Sequence, residues 1–456
     1  ACGEVLRTLP PMKLLLAPLA ALSLLATTGL AQKPKIASQD QLPRFSYPYT
    51  GPVTEVLKND VVADKLAAAV RADLEKLLAD HEIEDRSTLQ DLWGTLLALD
   101  LHAGRHAEAL RRIAQIRALD EKPAARLTGG LLTEAIILTR QRGEFASEAA
   151  FRAAFQQIYA GKLAALPWDI VGDVIKQTKG NAEIMSEALV LGNLASQFQP
   201  GVDRSGSLSG DVARVLLAQR TNLAHYLPLK AERIAALSAY LAAHQKTKAD
   251  IWAARAVALD AAAQLSPVIV GIWDSGVDMA VFAGRQWRNS AEEADGRDDD
   301  GNGFVDDVHG IAFDLQARPV PELLLPLTAQ QRADYPGMRN LTKGLLDVQA
   351  SLDTKEAGEL KKIMSGLQPD AVKPFIESLN FFGNYTHGTH VAGIAAAGNP
   401  AVRLLGARIT FDHRMIPDVP TREQAEREAA AMRAVVRYFQ QRGVRVVNMR
   451  DRKSVV

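Results

Sequence analysis

Between Glu55 and Leu265 apolar residues, mostly Ala and Leu, return every three or four positions, the spacing that gathers one face of an α-helix. Asp91 to Pro123 can be laid on a helical hairpin of the tetratricopeptide kind. There Trp93, Leu96, Gly104, Ala109 and Ile113 fall near that repeat's packing positions; Trp93 fills the space between the two helices and Ala109 lets the second helix approach closely. Leu132 to Ala160, with Gly143 at the turn, predicts another hairpin. No period of about 34 residues persists, so the expectation is an all-α, TPR-like domain of helical hairpins over 32–265, not a strict repeat array. Gln199 to Asp211 (QPGVDRSGSLSGD) predicts a loop that divides this region. Gln32 to Val53, with its prolines and tyrosines, predicts little regular structure.

The pattern changes at Ser266-Pro267. Val268 to Trp273 is a continuous apolar run with β-branched residues, as in a strand buried on both faces of a parallel sheet. Arg403 to Ile409 and Val444 to Met449 predict further strands; Val391 to Ala397 and Arg422 to Gln441 predict helices. Long connections between strands are what parallel pairing requires. Residues 266–449 are therefore expected to be α/β.

The two ends read differently from the rest. Lys13 follows Met12, an apolar stretch runs from Leu14, and small residues end at Ala31, the pattern of a cleaved export signal over 12–31. The apolar segment is short for a membrane span, so the expectation is a secreted or periplasmic protein with no stable membrane anchor after cleavage. Residues 1–11 precede a good start Met and read as upstream, non-native sequence. Arg450 to Val456 is a polar tail directly after an apparent core strand, and reads as artefactual, which makes the chain a fragment. Composition narrows the choices further. Hydrophobic residues are 47% and charged residues 23%, which excludes wholesale disorder. Lys+Arg and Asp+Glu both number 53, so no basic excess argues for nucleic acid as a partner. Cys2 is the one cysteine, which excludes a disulfide framework and a cysteine-rich zinc site. His81, His102, His106, His225 and His244 are scattered and suggest solvated or capping roles.

Two segments carry candidate chemistry. Asp274-Ser275-Gly276 places a carboxylate at the carboxyl end of a buried strand, where α/β proteins build their sites. Asn384 to Gly393 (NYTHGTHVAG) places His387 at the start of a helix of small residues, with Gly388 and Gly393 permitting close packing. The pattern suggests a base oriented by an acid: Asp274 accepts from one ring nitrogen of His387, and the other takes a proton from a hydroxyl nucleophile.

Together these segments resemble the subtilase (subtilisin-like) serine peptidases. Their acid motif is similar to Ile272-Trp273-Asp274-Ser275-Gly276-Val277-Asp278, and their histidine motif to His387-Gly388-Thr389-His390-Val391-Ala392-Gly393. Asp before His is also the subtilisin order. The resemblance implies a partial, incomplete parallel-sheet subtilisin-like domain over 266–449. It also implies peptide-bond hydrolysis on protein or peptide substrates, with Asp274 and His387, not His390, as two members of the triad. In that family the oxyanion Asn and the Gly-Thr-Ser nucleophile lie beyond the point matched by Val446-Val447-Asn448-Met449. Neither is in these 456 residues, and Ser454 lacks the strand-to-helix setting, so the chain as written is expected to be inactive. A pseudopeptidase that binds peptides and a helical interaction scaffold are the alternatives.

Glu292 to Asp307 holds eight carboxylates against one Arg297. Asp298, Asp300 and Asn302 have the one-three-five oxygen spacing of a calcium loop, with Gly303 at the tight turn. The Phe304 carbonyl, Asp306 and Asp307 complete the expected metal set. His309 stands at the twelfth position, so the bidentate Glu of an EF-hand is missing. The resemblance supports structural calcium here, since many subtilases carry it. The acid and histidine motifs are 113 residues apart, more than compact subtilases use. Pro319 to Phe382 therefore reads as an insertion, helical from Leu341 to Leu367 and again near Phe375, at the rim of the cleft.

Overall fold

The structure is a computed structural model and describes residues 33–244 and 255–449. The expected export signal over 12–31, the upstream residues 1–11 and the tail 450–456 lie outside the described residues. The protein is a mixed α/β structure, with a helical part joined to one five-stranded sheet.

The first part opens with β1 (Lys35–Ile36) and β2 (Ser46–Pro48), separated by irregular chain, then α1 (Glu55–Lys58) and α2 (Asp60–Asp80). Asn59 starts α2 by accepting from the N–H groups of Val61 and Val62, and Ala63, Leu66, Val70, Leu74 and Leu77 form its buried face. β3 (Glu82–Ile83) pairs with β1, and Asp85 caps α3 (Arg86–His102). The chain reverses at Gly104, φ +70°, into α4 (His106–Leu119), burying Leu96, Ala109 and Ile113. α5 (Pro123–Thr128) and α6 (Leu131–Arg140) follow, then a turn at Gly143, φ +103°, into α7 (Glu148–Ala164). Asp100 on α3 is wholly buried and meets Arg71 at 2.7 Å, Arg105 at 2.9 Å and Arg112 at 2.6 Å. Burial pushes its carboxyl up, but the three guanidinium groups hold it below its ordinary value.

α8 (Trp168–Ile184) and α9 (Glu187–Ser205) come next, then β4 (Ser207–Ser209), α10 (Gly210–Thr221) and α11 (Lys230–Ala243). This corrects the dividing loop expected over 199–211. α9 runs through Pro200 to Ser205 and stops at Gly206, φ +65°. Burial of Val202 and the bond from Val53 N–H to the Gln199 side chain (2.7 Å) outweigh the local Pro-Gly turn preference. β4 then pairs antiparallel with β2, so the segment joins the helical core instead of dividing it.

The sheet has the order β7-β6-β8-β5-β9, where β5 is Val268–Asp274, β6 Gly310–Phe313, β7 Pro319–Val320, β8 Val402–Ile409 and β9 Val446–Met449. All neighbours are parallel except β6 and β7. One face packs against α14 (Pro369–Ala396) through Val270, Ile272, Ala392, Ala396 and Leu404. The other packs against α15 (Arg422–Gln441) through Trp273, Leu405, Val435, Tyr438 and Phe439. β9 is an outer strand with Val446, Val447 and Met449 exposed, an edge open to pairing.

Two expectations for the second half need correction. His387 does not lie at a helix start: α14 has 28 residues and begins 18 positions earlier, at Pro369. Nor does the segment 319–382 end at Phe382, because α14 continues through it. α12 (Ala329–Gln349), α13 (Lys355–Gly366) and the first half of α14 form a bundle with α8 and α9. Gly192 lies so close to α14 that a Cβ would stand 2.3 Å from the Pro369 carbonyl, and Gly180 lies equally close to the Val348 carbonyl. The segment therefore bridges the two halves. Among the described residues no helix is long and apolar enough to cross a membrane.

One pair of histidines sets a pH dependence. Arg140 donates to His225 Nδ1 at 2.9 Å, so that ring is neutral, with its proton on a buried Nε2 that has no partner. Burial, then Arg140, His102 and Arg220, depress the His225 value to about 4. The His102 value is depressed by burial and Arg220, with Asp60 and Asp64 opposing. The unfolded chain binds the proton more readily, so this stability is full above about 6.5 and is lost as the pH falls toward about 4. Denaturant unfolding across that window should show the loss, and His225→Gln should flatten it; an unchanged slope in the variant would refute the assignment.

Candidate active site

β5 carries its apolar run into the sheet and delivers Asp274, fully buried, at its carboxyl end. Asp274 Oδ1 accepts from the Ser275 N–H at 2.7 Å and from His387 Nδ1 at 2.7 Å. A carboxylate only accepts, so the histidine proton sits on Nδ1 and Nε2 keeps its lone pair. The His387 side chain is 32% exposed, whereas His390, three positions on, is exposed and takes no part. Asp274 Oδ2 is buried without a partner.

The Asp-Ser-Gly and His-Gly-Thr segments are fitted to one another at the backbone. Ser275 Oγ lies 2.5 Å from the Asn384 carbonyl and 3.3 Å from the Gly388 N–H, the two ends of one helical rung. It also lies 3.0 Å from Asp274 Oδ1. The Asp278 N–H donates to Thr389 Oγ1 at 2.9 Å. A Cβ on Gly388 would stand 2.2 Å from the Gly276 carbonyl, so only glycine fits there. Gly276 has φ +125°, and a Cβ there would meet the Leu323 carbonyl at 2.7 Å.

Of the set expected in the acidic loop, Asp300 and Asp307 converge, while Asp298, Asn302 and Asp306 bond the loop's own backbone. Asp298 accepts from the N–H groups of Asn302 and Gly303, and Asp306 from those of Asp295 and Gly296. Asn302 accepts from the Phe304 N–H and donates to Asp307 at 2.9 Å. These residues close the loop on itself. Asp300 and Asp307 instead converge with Glu292, their ligand oxygens all within 4.8 Å of one another. Glu292 is 1% exposed, and its Oε2 is buried with no partner. Burial, then the charges of Asp307, Asp300 and Asp299, push its carboxyl above its ordinary value against the bond from the Asp300 N–H. Asn289 donates to both Asp300 and Asp307, and Arg442 reaches Asp300 at 2.7 Å. The sequence spacing missed Glu292, Asn289 and Arg442. Glu292 was visible as part of the acidic run, but Arg442 lies on the far side of the sheet in sequence and had no local signal.

A cavity of about 300 Å³ opens at the carboxyl edge of the sheet on the α15 side, lined by Trp273, Phe313, Met432 and Met449. Neither Asp274 nor His387 lines it. No family model, no curated protein and no solved structure matches this chain.

The glycine contact makes a direct prediction. Gly388→Ala should lower stability by about 1–3 kcal/mol, because the clash is with backbone that cannot rotate away. It should also weaken the downfield Nδ1 proton resonance of His387. Gly393→Ala, with open space around it, should be neutral or stabilising. A Gly388→Ala melt equal to wild type would show that the two backbones are not in contact.

Proposed function

We propose that residues 266–449 are the leading part of a subtilase-type catalytic domain, joined to a helical-hairpin domain in an exported serine endopeptidase that acts on protein or peptide substrates. The observation that carries this reading is the 2.7 Å bond from His387 Nδ1 to a buried Asp274 at the end of a parallel strand. Asp274 fixes the tautomer and stabilises the imidazolium that forms when Nε2 takes a proton. A serine hydroxyl would lose that proton as its oxygen bonds to the scissile carbonyl carbon. His387 would then return the proton to the departing amine. The 456 residues supply the acid and the base but hold no Gly-Thr-Ser nucleophile segment.

The same reading includes a structural cation bound by Glu292, Asp300 and Asp307. All three donors are oxygens, which suits a hard ion such as calcium. The unpartnered Glu292 Oε2 supports it, because an ion would supply the charge that this buried carboxyl otherwise lacks. Arg442 already offsets part of the negative charge.

Two outcomes are expected. The 456-residue chain should not hydrolyse casein, while the product of the reading frame extended past Met449 should. In that product Asp274→Asn should cost about ten-thousandfold in kcat, and His387→Ala about a millionfold. A native stop in place of a Gly-Thr-Ser segment would favour the pseudopeptidase instead. Chelator should lower the melting temperature and added calcium restore it, with Glu292→Gln insensitive to both; no shift on chelation removes the cation.

A further inference from the structure

Arg408 is the register partner of Asp274 on the neighbouring strand β8, and it is 2% exposed. Its stem passes beneath Gly276, with Cδ 3.1 Å from where a Cβ would stand. Its Nε and Nη1 are buried and meet no acceptor. A guanidinium does not shed its proton in a protein, so this is a buried cation with two donor groups unmet and no direct ion pair. Burial lowers its proton affinity, while the charges of Glu322 and Asp314 act the other way. Asp314 is itself engaged by Arg318 at 2.8 Å.

Arg408 lines a cavity of about 130 Å³, with Ser275, Asn384, Tyr385, Thr410 and His413 among the other lining residues. Ser275 and Asn384 also hold the acid and the histidine helix together, and Asn384 is three residues before His387. The space is that of roughly four water molecules. It suits a carboxymethyl group and is small for a bulky one. One guanidinium fork matches one planar carboxylate.

We propose that this cavity is a subsite for an anionic side chain, a carboxylate of aspartate size on a peptide held against His387, with Arg408 as its counter-ion. The proposal rests on the peptidase reading for the peptide, and on the cavity for the charge. Arg408 is a specificity-determining residue here, with no part in bond cleavage. A peptide carboxylate entering the cavity would accept from the guanidinium fork.

The test uses two small probes, N-acetyl-aspartate methylamide and its asparagine counterpart, titrated calorimetrically into the 456-residue protein. The aspartate compound should bind about tenfold tighter or more. Arg408→Met should abolish that preference, and Arg408→Lys should keep part of it. Arg408→Met removes an unpaired buried charge, so its melting temperature should equal or exceed that of wild type, which verifies the fold. Equal affinity for the two probes, no binding of either, or a preference that survives Arg408→Met would each overturn the proposal. His387→Ala should leave the preference intact. Failure of the extended protein to hydrolyse casein while the preference persists would therefore overturn the peptidase reading alone.

Discussion

The arrangement of the α/β half depends on how closely α14 approaches the carboxyl end of β5. Gly388 packs its backbone on the Gly276 carbonyl, at a distance that a single methyl group would forbid. Ser275 adds a hydroxyl placed against both ends of the Asn384–Gly388 rung. That contact sets the helix in register with the strand, and the register sets the distance between Asp274 and His387. A hydrogen bond of 2.7 Å between two side chains 113 residues apart is precise only because both are held by backbone. The small residues that follow, Ala392 and Ala396, extend the close packing along the sheet face through Ile272 and Leu404.

Two buried charges sit side by side in this region without pairing. Asp274 and Arg408 occupy matching positions on adjacent parallel strands, and no ion pair joins them. Asp274 has one oxygen satisfied by donors and one without a partner, and Arg408, beside Gly276, has unpartnered donors. A fold selected only for stability would neutralise such charges against one another, since an uncompensated buried ion is costly. Holding them unpaired leaves an oriented base and a cationic cavity wall at the same end of the sheet. Such exceptions to the rule that buried polar groups are paired concentrate at sites of function.

Local pattern carried the parts of this structure whose cause is local. β5 and β8 were legible from their mostly apolar, β-branched runs, and α15 from its helical period; β9 was expected as a buried strand from Val444, but it begins at Val446 and its side chains are exposed, because no further strand among the described residues covers it. Asp274 and His387 were legible because short motifs impose the backbone geometry around them. β6 was not, because Gly310–Phe313 is only four residues long and becomes a strand through pairing with β8. The start of α14 was not legible, because Pro374, Gly383 and Asn384 have low helix propensity. Burial of Val372, Leu379 and Phe382 against two different partners keeps that helix whole. The acidic loop misled in an instructive way. Of its one-three-five residues, Asp298 and Asn302 accept from the loop's own amides, while Asp300 joins the convergent set. The convergent set needs Glu292, which only the folded loop brings near Asp300 and Asp307.

The continuity of α14 gives the helical part a mechanical role. At about 1.5 Å per residue its 28 residues reach roughly 42 Å. One end is seated on α9, where Gly192 receives Pro369, and the other carries His387 to the sheet. α12 and α13 brace the same end, with Ser351 Oγ donating to the Lys176 carbonyl at 2.9 Å and Lys361 meeting Glu183 at 2.9 Å. The segment that lengthens the path between the acid and histidine motifs is thus a structural strut. It couples the placement of the imidazole to packing in a core that contains no candidate catalytic group. Substitutions at Gly192 or Gly180 touch neither Asp274 nor His387, yet they act on the same rigid helix assembly. Because packed interfaces shift between discrete arrangements and do not yield smoothly, a displaced seat at Pro369 would move His387 relative to Asp274 unless the helix itself bent. The helical part and the sheet are accordingly better regarded as one construction, in which the position of the base is determined from both ends of a single helix.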